Sequence, residues 1–356
     1  MTHRLLIVTP LFYGDASGAS IYYQKLYKSL VEHGINTRVV SERVKNFPSW
    51  YYPLFPRRSG ENKKGFKDYL YYATQNLLYA KLYFILKDFQ PQTVLIHSSF
   101  FNFPGLFGIC FRLLRYAYPH INWIADARDR LIGEAGAIHL KHFNSIIACS
   151  ENVLNHLQQF SLGQAQLSVI PIIQEAFDNT NIPASTIVNK HAIPDKYILY
   201  VGAVKEEKNV HILIDTYTQY IRKKLPDYHL VIAGLIKTNN STTIEKLSSM
   251  GVHYIGNITH EETISLISKA QLCVNLSPCE GMPRFSLESL SLQIPTVLPP
   301  NIPEFDKHCA SNVCTSQDPA AISELCIRII NNRDLNHYPI HQHHEINIIS
   351  KYLDII

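Results

Sequence analysis

The sequence predicts an α/β protein of two Rossmann-like, doubly wound domains. Three observations carry that prediction. The chain has 356 residues, too many for one ordinary core and right for two. Short apolar runs that read as buried strands alternate with helical segments from end to end, the pattern of mostly parallel sheets wrapped by helices. At 46% hydrophobic and 17% charged residues, the chain can bury ample core and lacks the composition of a disordered one.

In chain order, Leu5 to Thr9 reads as the first strand, and the loop at 10–20 carries Gly14 and Gly18. Glycines there allow a backbone to approach a phosphate or sugar closely. A helix from about Ile21 to Gly34 is expected to bury Leu26, Leu30 and Val31 and to stop at Gly34. Thr37 to Val40 is the second strand. Residues 46–68 read as a long surface excursion. Its Trp50, Tyr51, Tyr52 and Phe55, beside Arg57, Arg58, Lys63 and Lys64, either meet a lipid head-group region or an acceptor, or form an ordinary loop tucked onto the domain. A helix at 68–87 follows, then a strand from Thr93 to His97, a helix from Phe103 to Tyr116, and a strand from Asn122 to Ala125. Asp126-Ala-Arg128-Asp129 occupies the next loop. Strands from Ser145 to Cys149 and from Leu167 to Ile172, with a helix from Glu151 to Gln159 between them, complete the first domain, taken as residues 1–177. The second domain is taken as 178–335, and a last helical segment at 343–354 lies in a C-terminal piece, 336–356.

The second domain is organised around Ser277-Pro-Cys-Glu280-Gly-Met-Pro-Arg-Phe-Ser-Leu-Glu288. The apolar run Leu272 to Leu276 precedes it as a strand, and a helix follows. Glu280 therefore sits in a loop at the carboxyl end of a strand, where ligands bind in open α/β sheets. The helix start offers N–H groups and a positive dipole end, which suit a phosphate. A carboxylate does not usefully face phosphate, so two glutamates here point to hydroxyls on either side of one. Ribose hydroxyls, diphosphate and sugar hydroxyls in a row describe a nucleotide-sugar.

Glu280-x7-Glu288 with Gly281 and Pro283 resembles the signature of the retaining GT-B glycosyltransferases of family 4. The resemblance extends to Gly202-Ala203-Val-Lys205-Glu-Glu-Lys208-Asn, which is similar to the family's Gly-Arg-x-x-x-x-Lys-Gly motif. Lys208 matches the lysine, and Ala203 stands where the arginine is usual. It implies two domains facing across a cleft, with the last helix crossing back to the first domain. It also implies transfer of a hexosyl or N-acetylhexosaminyl unit from a UDP-sugar or GDP-sugar to an acceptor hydroxyl, with retention, in glycan, polysaccharide or glycolipid synthesis. By the same resemblance the donor meets Gly18, Gly202, Lys205, Lys208, Asn257, Ile258, Glu280, Gly281, Met282, Pro283, Arg284 and Glu288. Lys208, Glu280, Arg128 and Asp129 are the expected catalytic residues, Arg128-Asp129 taking the place of a histidine common in the family, and His97 is expected toward the acceptor. Lys205 or Arg284 would supply the charge that Ala203 lacks, since a phosphate needs a nearby cation rather than a fixed sequence position.

No cofactor is expected, the nucleotide-sugar being a substrate. No metal is expected either, since no Asp-x-Asp pair accompanies the donor site, and the histidines at 337, 341, 343 and 344 lack the cysteine or carboxylate partners of a metal set. The competing class is a nucleotide-sugar-binding protein without transferase activity, for which Ala203 is the motive. A dinucleotide oxidoreductase is disfavoured because no GxGxxG follows the first strand.

The seven cysteines, at 110, 149, 273, 279, 309, 314 and 326, form no CxxC pair and read as thiols of a reducing compartment. No apolar segment reaches the length of a membrane span, and the expected location is cytoplasmic, at the inner face of a membrane if the basic half meets anionic lipid. Residues 1–180 carry 18 Lys+Arg against 12 Asp+Glu, a net of +6, while residues 181–356 carry 15 against 17, a net of −2. The basic half either faces an anionic membrane or a glycan or lipid-linked acceptor, or is a solvated face. Nucleic acid is not an expected partner, since no reading motif accompanies the charge.

Overall fold

The computed structural model describes residues 2–13, 18–55, 81–101, 106–130, 132–174, 187, 190–237, 244–333, 335 and 337–356. The chain divides into two compact units, one formed by Met1–Ile173 with Glu345–Ile356, the other by Gln174–His344. Each is built on a parallel sheet.

The first unit carries β1 (Arg4–Val8), β2 (Asn36–Glu42), β3 (Tyr51–Phe55), β4 (Thr93–His97), β5 (Asn122–Ala127), β6 (Ser145–Ala148) and β7 (Gln166–Val169), in the spatial order β3-β2-β1-β4-β5-β6-β7. The second carries β8 (Tyr197–Val201), β9 (His229–Ala233), β10 (Val252–Gly256), β11 (Leu272–Val274) and β12 (Thr296–Val297), ordered β10-β9-β8-β11-β12. The pairing is parallel throughout. Strands covered on both faces carry continuous apolar runs rather than alternation, which is why Leu5 to Val8 and Tyr197 to Tyr200 are buried without a break. Within each unit the strand order reverses once. The first sheet grows outward from β1 to β3 and then resumes on the other side with β4. The second grows from β8 to β10 and resumes with β11. Two neighbouring loops part at each reversal and leave a crevice at the carboxyl ends of the strands.

Helix ends follow local chemistry. Thr259 and Glu262 form a reciprocal capping box at the start of helix His260–Lys269. Asp318 accepts from Ala320 N and Ala321 N, and Pro319 fills the first turn of helix Pro319–Asn332. The last helix, Glu345–Leu353, belongs to the first unit and buries Ile348, Ile349 and Tyr352 there.

Several expectations shift. Helix Gly18–Glu32 starts earlier than expected, and Val31 is 43% exposed, so its buried side is Tyr22, Tyr23, Leu26 and Leu30. Residues 51–55 are not part of an excursion but an edge strand, in register with β2 from Val39 opposite Tyr51. Tyr51 is buried and Trp50 stacks on Tyr27 at 4.1 Å, so these two aromatics pack within the first unit. Arg57, Arg58, Lys63 and Lys64, and Gly14 in the first loop, lie outside the described residues. The helix Glu134–Leu140 was not expected at all. Among the described residues no helix is long and apolar enough to cross a membrane.

At the carboxyl edge of the second sheet the ends of β8, β9 and β10 approach closely. Gly234 follows β9 with φ +132, and a Cβ built on it would lie 2.0 Å from Gly202 O. Gly234 N donates to Gly256 O at 2.7 Å and Gly202 N to Ala233 O at 2.9 Å, so neither backbone can retreat without breaking a bond. Gly234→Ala is therefore expected to destabilise the protein by at least about 2 kcal/mol through clash and backbone strain. A urea midpoint unchanged from wild type would refute this packing.

Candidate active site

In the second unit, β8 and β11 bracket the reversal, and the loops that follow them meet. After Gly202 the chain makes a 3₁₀ turn, Glu206–Lys208, and then Asn209 takes a left-handed conformation, φ 54 and ψ 28. Asparagine is one of the few non-glycine residues that adopts this region readily. Asn209 Nδ2 then donates to Leu276 O at 3.1 Å and ties this loop to the one after β11. Lys208 is thereby aimed across the reversal, where its Nζ hydrogen-bonds Glu280 Oε1. The two side chains are 23% and 19% exposed, a half-buried pair open to solvent on one side. Tyr200 lies beside them. Burial, and then the Glu280 charge, hold its phenol well above the usual range, so it stays a neutral donor, and its hydroxyl donates to Ala203 O at 3.0 Å.

The loop after β11 is braced from within. Asn275 Oδ1 accepts from Ser277 N at 3.1 Å, and its Nδ2 donates to Ser286 Oγ at 3.2 Å. Pro283 precedes helix Arg284–Ser291 and has no side-chain acceptor for its first N–H groups. Glu288, on the second turn, is buried. Its Oε1 accepts from His260 Nε2 at 2.8 Å and lies 3.7 Å from Arg284 Nη1. The structure thus brings Lys208 to Glu280 and Arg284 to Glu288. It leaves Lys205 on its own loop, 3.9 Å from Glu207, and Asn257 exposed, while Ile258 packs into the core beneath β8. Met282 is buried beside Gly281. His260 and Asn209 escaped the sequence reading. The signal for Asn209 was its place after Lys208, where the motif has glycine. His260 gave none, because its partner lies 28 residues away.

In the first unit, β1 and β4 bracket the reversal. Gly18 opens helix Gly18–Glu32 with nothing within 4 Å of where a Cβ would be, so packing does not require a glycine there. His97 ends β4, is 4% exposed, and accepts from Ser99 N at 3.0 Å through Nδ1. Arg128 pairs with Asp126. Its Nη2 lies 2.6 Å from Asp126 Oδ1, because residues two apart at a strand end point to the same side. Tyr22 and Tyr352 hydroxyls accept from Nη2 at 2.5 Å each, the Tyr22 ring stacks 3.9 Å below the guanidinium, and Tyr23 donates to Asp126 Oδ2 at 2.6 Å. Asp129 is partly buried in the same loop. Among the described residues no group of three or more His, Cys, Asp or Glu side chains is placed to hold a metal ion.

Burial lowers the His97 imidazole below its ordinary 6.5, with Asp126 and Asp129 opposing and Arg128 assisting. The unfolded chain therefore takes up a proton at this histidine at a higher pH than the folded one. The favourable contribution is complete above 6.5 and is lost as pH falls from there toward the folded value. Stability is expected to drop on acidification through that window, and His97→Gln to flatten part of the drop. Parallel stability–pH curves for the two proteins would contradict it.

Residues 184–345 match the family model described as glycosyl transferases group 1, and residues 16–172 match that described as glycosyltransferase family 4. No curated protein sequence matches the chain. Among solved structures, the Anabaena protein HepE in complex with UDP-glucose is similar at 12% identity, covering 99% of this chain and 100% of that one with a TM-score of 0.70. An α,α-trehalose-6-phosphate synthase from Burkholderia multivorans is similar at 10% identity, 99% and 96% coverage and a TM-score of 0.72. A sucrose-phosphate synthase from Thermosynechococcus elongatus is similar at 14% identity, 98% and 94% coverage and a TM-score of 0.68. Two adjoining matches that together span nearly the whole chain, and a fold shared across its full length, make it a member of the group 1, family 4 glycosyltransferases with the GT-B fold.

Proposed function

We propose that this glycosyltransferase moves a hexosyl or N-acetylhexosaminyl unit from a UDP-sugar or GDP-sugar to an acceptor hydroxyl on a glycan or lipid-linked chain, with retention at the anomeric carbon. The observation that carries the reading is the Lys208–Glu280 contact across the reversal between β8 and β11. Negative charge grows on the departing diphosphate as the glycosidic bond breaks. A lysine already oriented by a carboxylate meets that charge without reorganising, which is where most electrostatic catalysis arises. Glu280 is then left to accept from a hydroxyl of the donor sugar. Glu288, oriented by His260, would accept from the ribose, and Arg284 would supply the second cation. Support for the donor class comes from HepE, whose structure is described with UDP-glucose, and from a pneumococcal O-GlcNAc transferase, TM-score 0.70 at 8% identity, described with UDP and GlcNAc. The net +6 of residues 1–180 supports a cytoplasmic enzyme working against an anionic membrane or acceptor.

Ala203, where the family has arginine, supports a second reading as a binder without transfer. Lys208→Ala separates the two. A transferase should lose roughly 10²–10³ in turnover with a smaller loss in donor affinity, because the charge that Lys208 meets is largest in the transition state. A binder loses affinity only. The measurement is nucleoside-diphosphate release from a panel of UDP-, GDP- and ADP-sugars, with and without a crude acceptor pool. No release from any donor that binds would end the transferase reading.

Glu288→Ala tests the ribose assignment. Donor affinity in calorimetry is expected to weaken by about 1.5–3 kcal/mol, the range for hydrogen bonds to a charged group. Unchanged affinity in a folded variant would remove Glu288 from the donor site.

A further inference from the structure

Glu42 ends β2, is fully buried, and forms no ion pair among the described residues. A buried carboxylate without a cation is costly unless hydrogen bonds replace its hydration. Here they do. Oε2 accepts from Phe12 N at 2.8 Å and from the Ser41 hydroxyl, with the Tyr51 hydroxyl at 3.3 Å; Oε1 accepts from Tyr13 N at 2.7 Å. The Glu42 charge is felt by its neighbours: after burial, it is what holds the phenols of Tyr13 and Tyr51 above their ordinary range.

Both backbone donors belong to the turn after β1. The carbonyl of the same residue is held from the other side, by Ser20 Oγ at 2.9 Å and Gln24 Nε2 at 2.5 Å, both on helix Gly18–Glu32. Phe12 is thus gripped at N–H and C=O by two different elements, and its buried ring packs edge-on to Tyr13, Tyr27 and Trp50. Tyr13, next to it, is 42% exposed. This turn follows β1, the strand that with β4 brackets the reversal of the first sheet, the place where a substrate is expected.

We infer that Glu42 is a positioning residue for the transfer reaction: its carboxylate fixes the Phe12–Tyr13 turn at the substrate crevice of the first unit. The inference rests on the transferase reading for its effect on rate and on the geometry alone for the clamp. A charged acceptor on two adjacent amides holds them in one orientation, and catalytic geometry tolerates little error, so loosening the turn slows chemistry without touching the donor groups on the second unit.

Glu42→Gln in the full chain is the test, with Glu42→Asp as the second variant if the first fails to fold. Hydrogen exchange is read at the Phe12 and Tyr13 amides. It should quicken by about a hundredfold, the loss expected for bonds to a charged acceptor, while β1 and β4 amides stay protected. Turnover per folded molecule, measured with UDP-glucose or with GDP-mannose, whichever the wild type consumes, should fall by about 10²-fold with the donor Kd unchanged. Unchanged exchange at the two amides overturns the clamp. Faster exchange with wild-type turnover per folded molecule reduces Glu42 to a purely structural role and overturns its place in the reaction. A wild-type chain that consumes neither donor refutes the transferase reading for these donors, and the exchange result alone then decides the clamp.

Discussion

Everything that could be chemistry in this protein hangs from the way a parallel sheet reverses its strand order. A parallel strand must be re-entered from the same end, so each connection crosses over a face, and two crossovers that leave in opposite directions part at the carboxyl edge. The reversal between β8 and β11 places the loops that carry Lys208 and Glu280 side by side, although 72 residues separate them. The reversal between β1 and β4 does the same for the Phe12–Tyr13 turn and His97. The close approach of Gly202 to Gly234 lies at the ends of the adjacent strands β8 and β9, where no room is left for a side chain on Gly234.

The first unit buries more charge than its core needs. Asp126 and Arg128 are almost wholly withdrawn from solvent, and the hydroxyls of Tyr22, Tyr23 and Tyr352 hydrogen-bond to them. Such an ion pair stabilises little relative to an apolar core of equal volume, yet removing one member leaves a charge stranded, at about 3–5 kcal/mol. Its consequence is geometric. Tyr22 comes from helix Gly18–Glu32, Tyr352 from helix Glu345–Leu353 and Arg128 from the loop after β5, so one guanidinium sets the mutual position of three elements. Arg128 is therefore held by protein groups on several sides.

The two departures from the family motif in the second unit have different characters. Asn209 stands where the motif has glycine and takes a left-handed conformation that glycine adopts freely, adding a bond to Leu276 O. Ala203 replaces an arginine and removes a charge that no backbone arrangement restores. Its carbonyl accepts from Tyr200, and the two cations expected to stand in for the arginine lie beside carboxylates, Lys205 by Glu207 and Arg284 by Glu288. Lys208 itself lies against Glu280.

The sequence by itself determined the fold class, most of the succession of strands and helices in both halves, and the motif in which Lys208, Glu280 and Glu288 stand. These are local signals: apolar runs of strand length, glycines and prolines at the breaks, and a motif whose spacing fits a strand–loop–helix unit. It read residues 51–55 as part of a loop where the structure has an edge strand, and it did not single out Asp126 as the partner of Arg128. Only the tertiary structure decided which charges meet. His260 with Glu288, Lys208 with Glu280, Tyr352 with Arg128 and Glu42 with two amides of another loop are contacts between residues distant in the chain. Sheet register and strand order bring them together, and neither is written in the local periodicity of the residues involved.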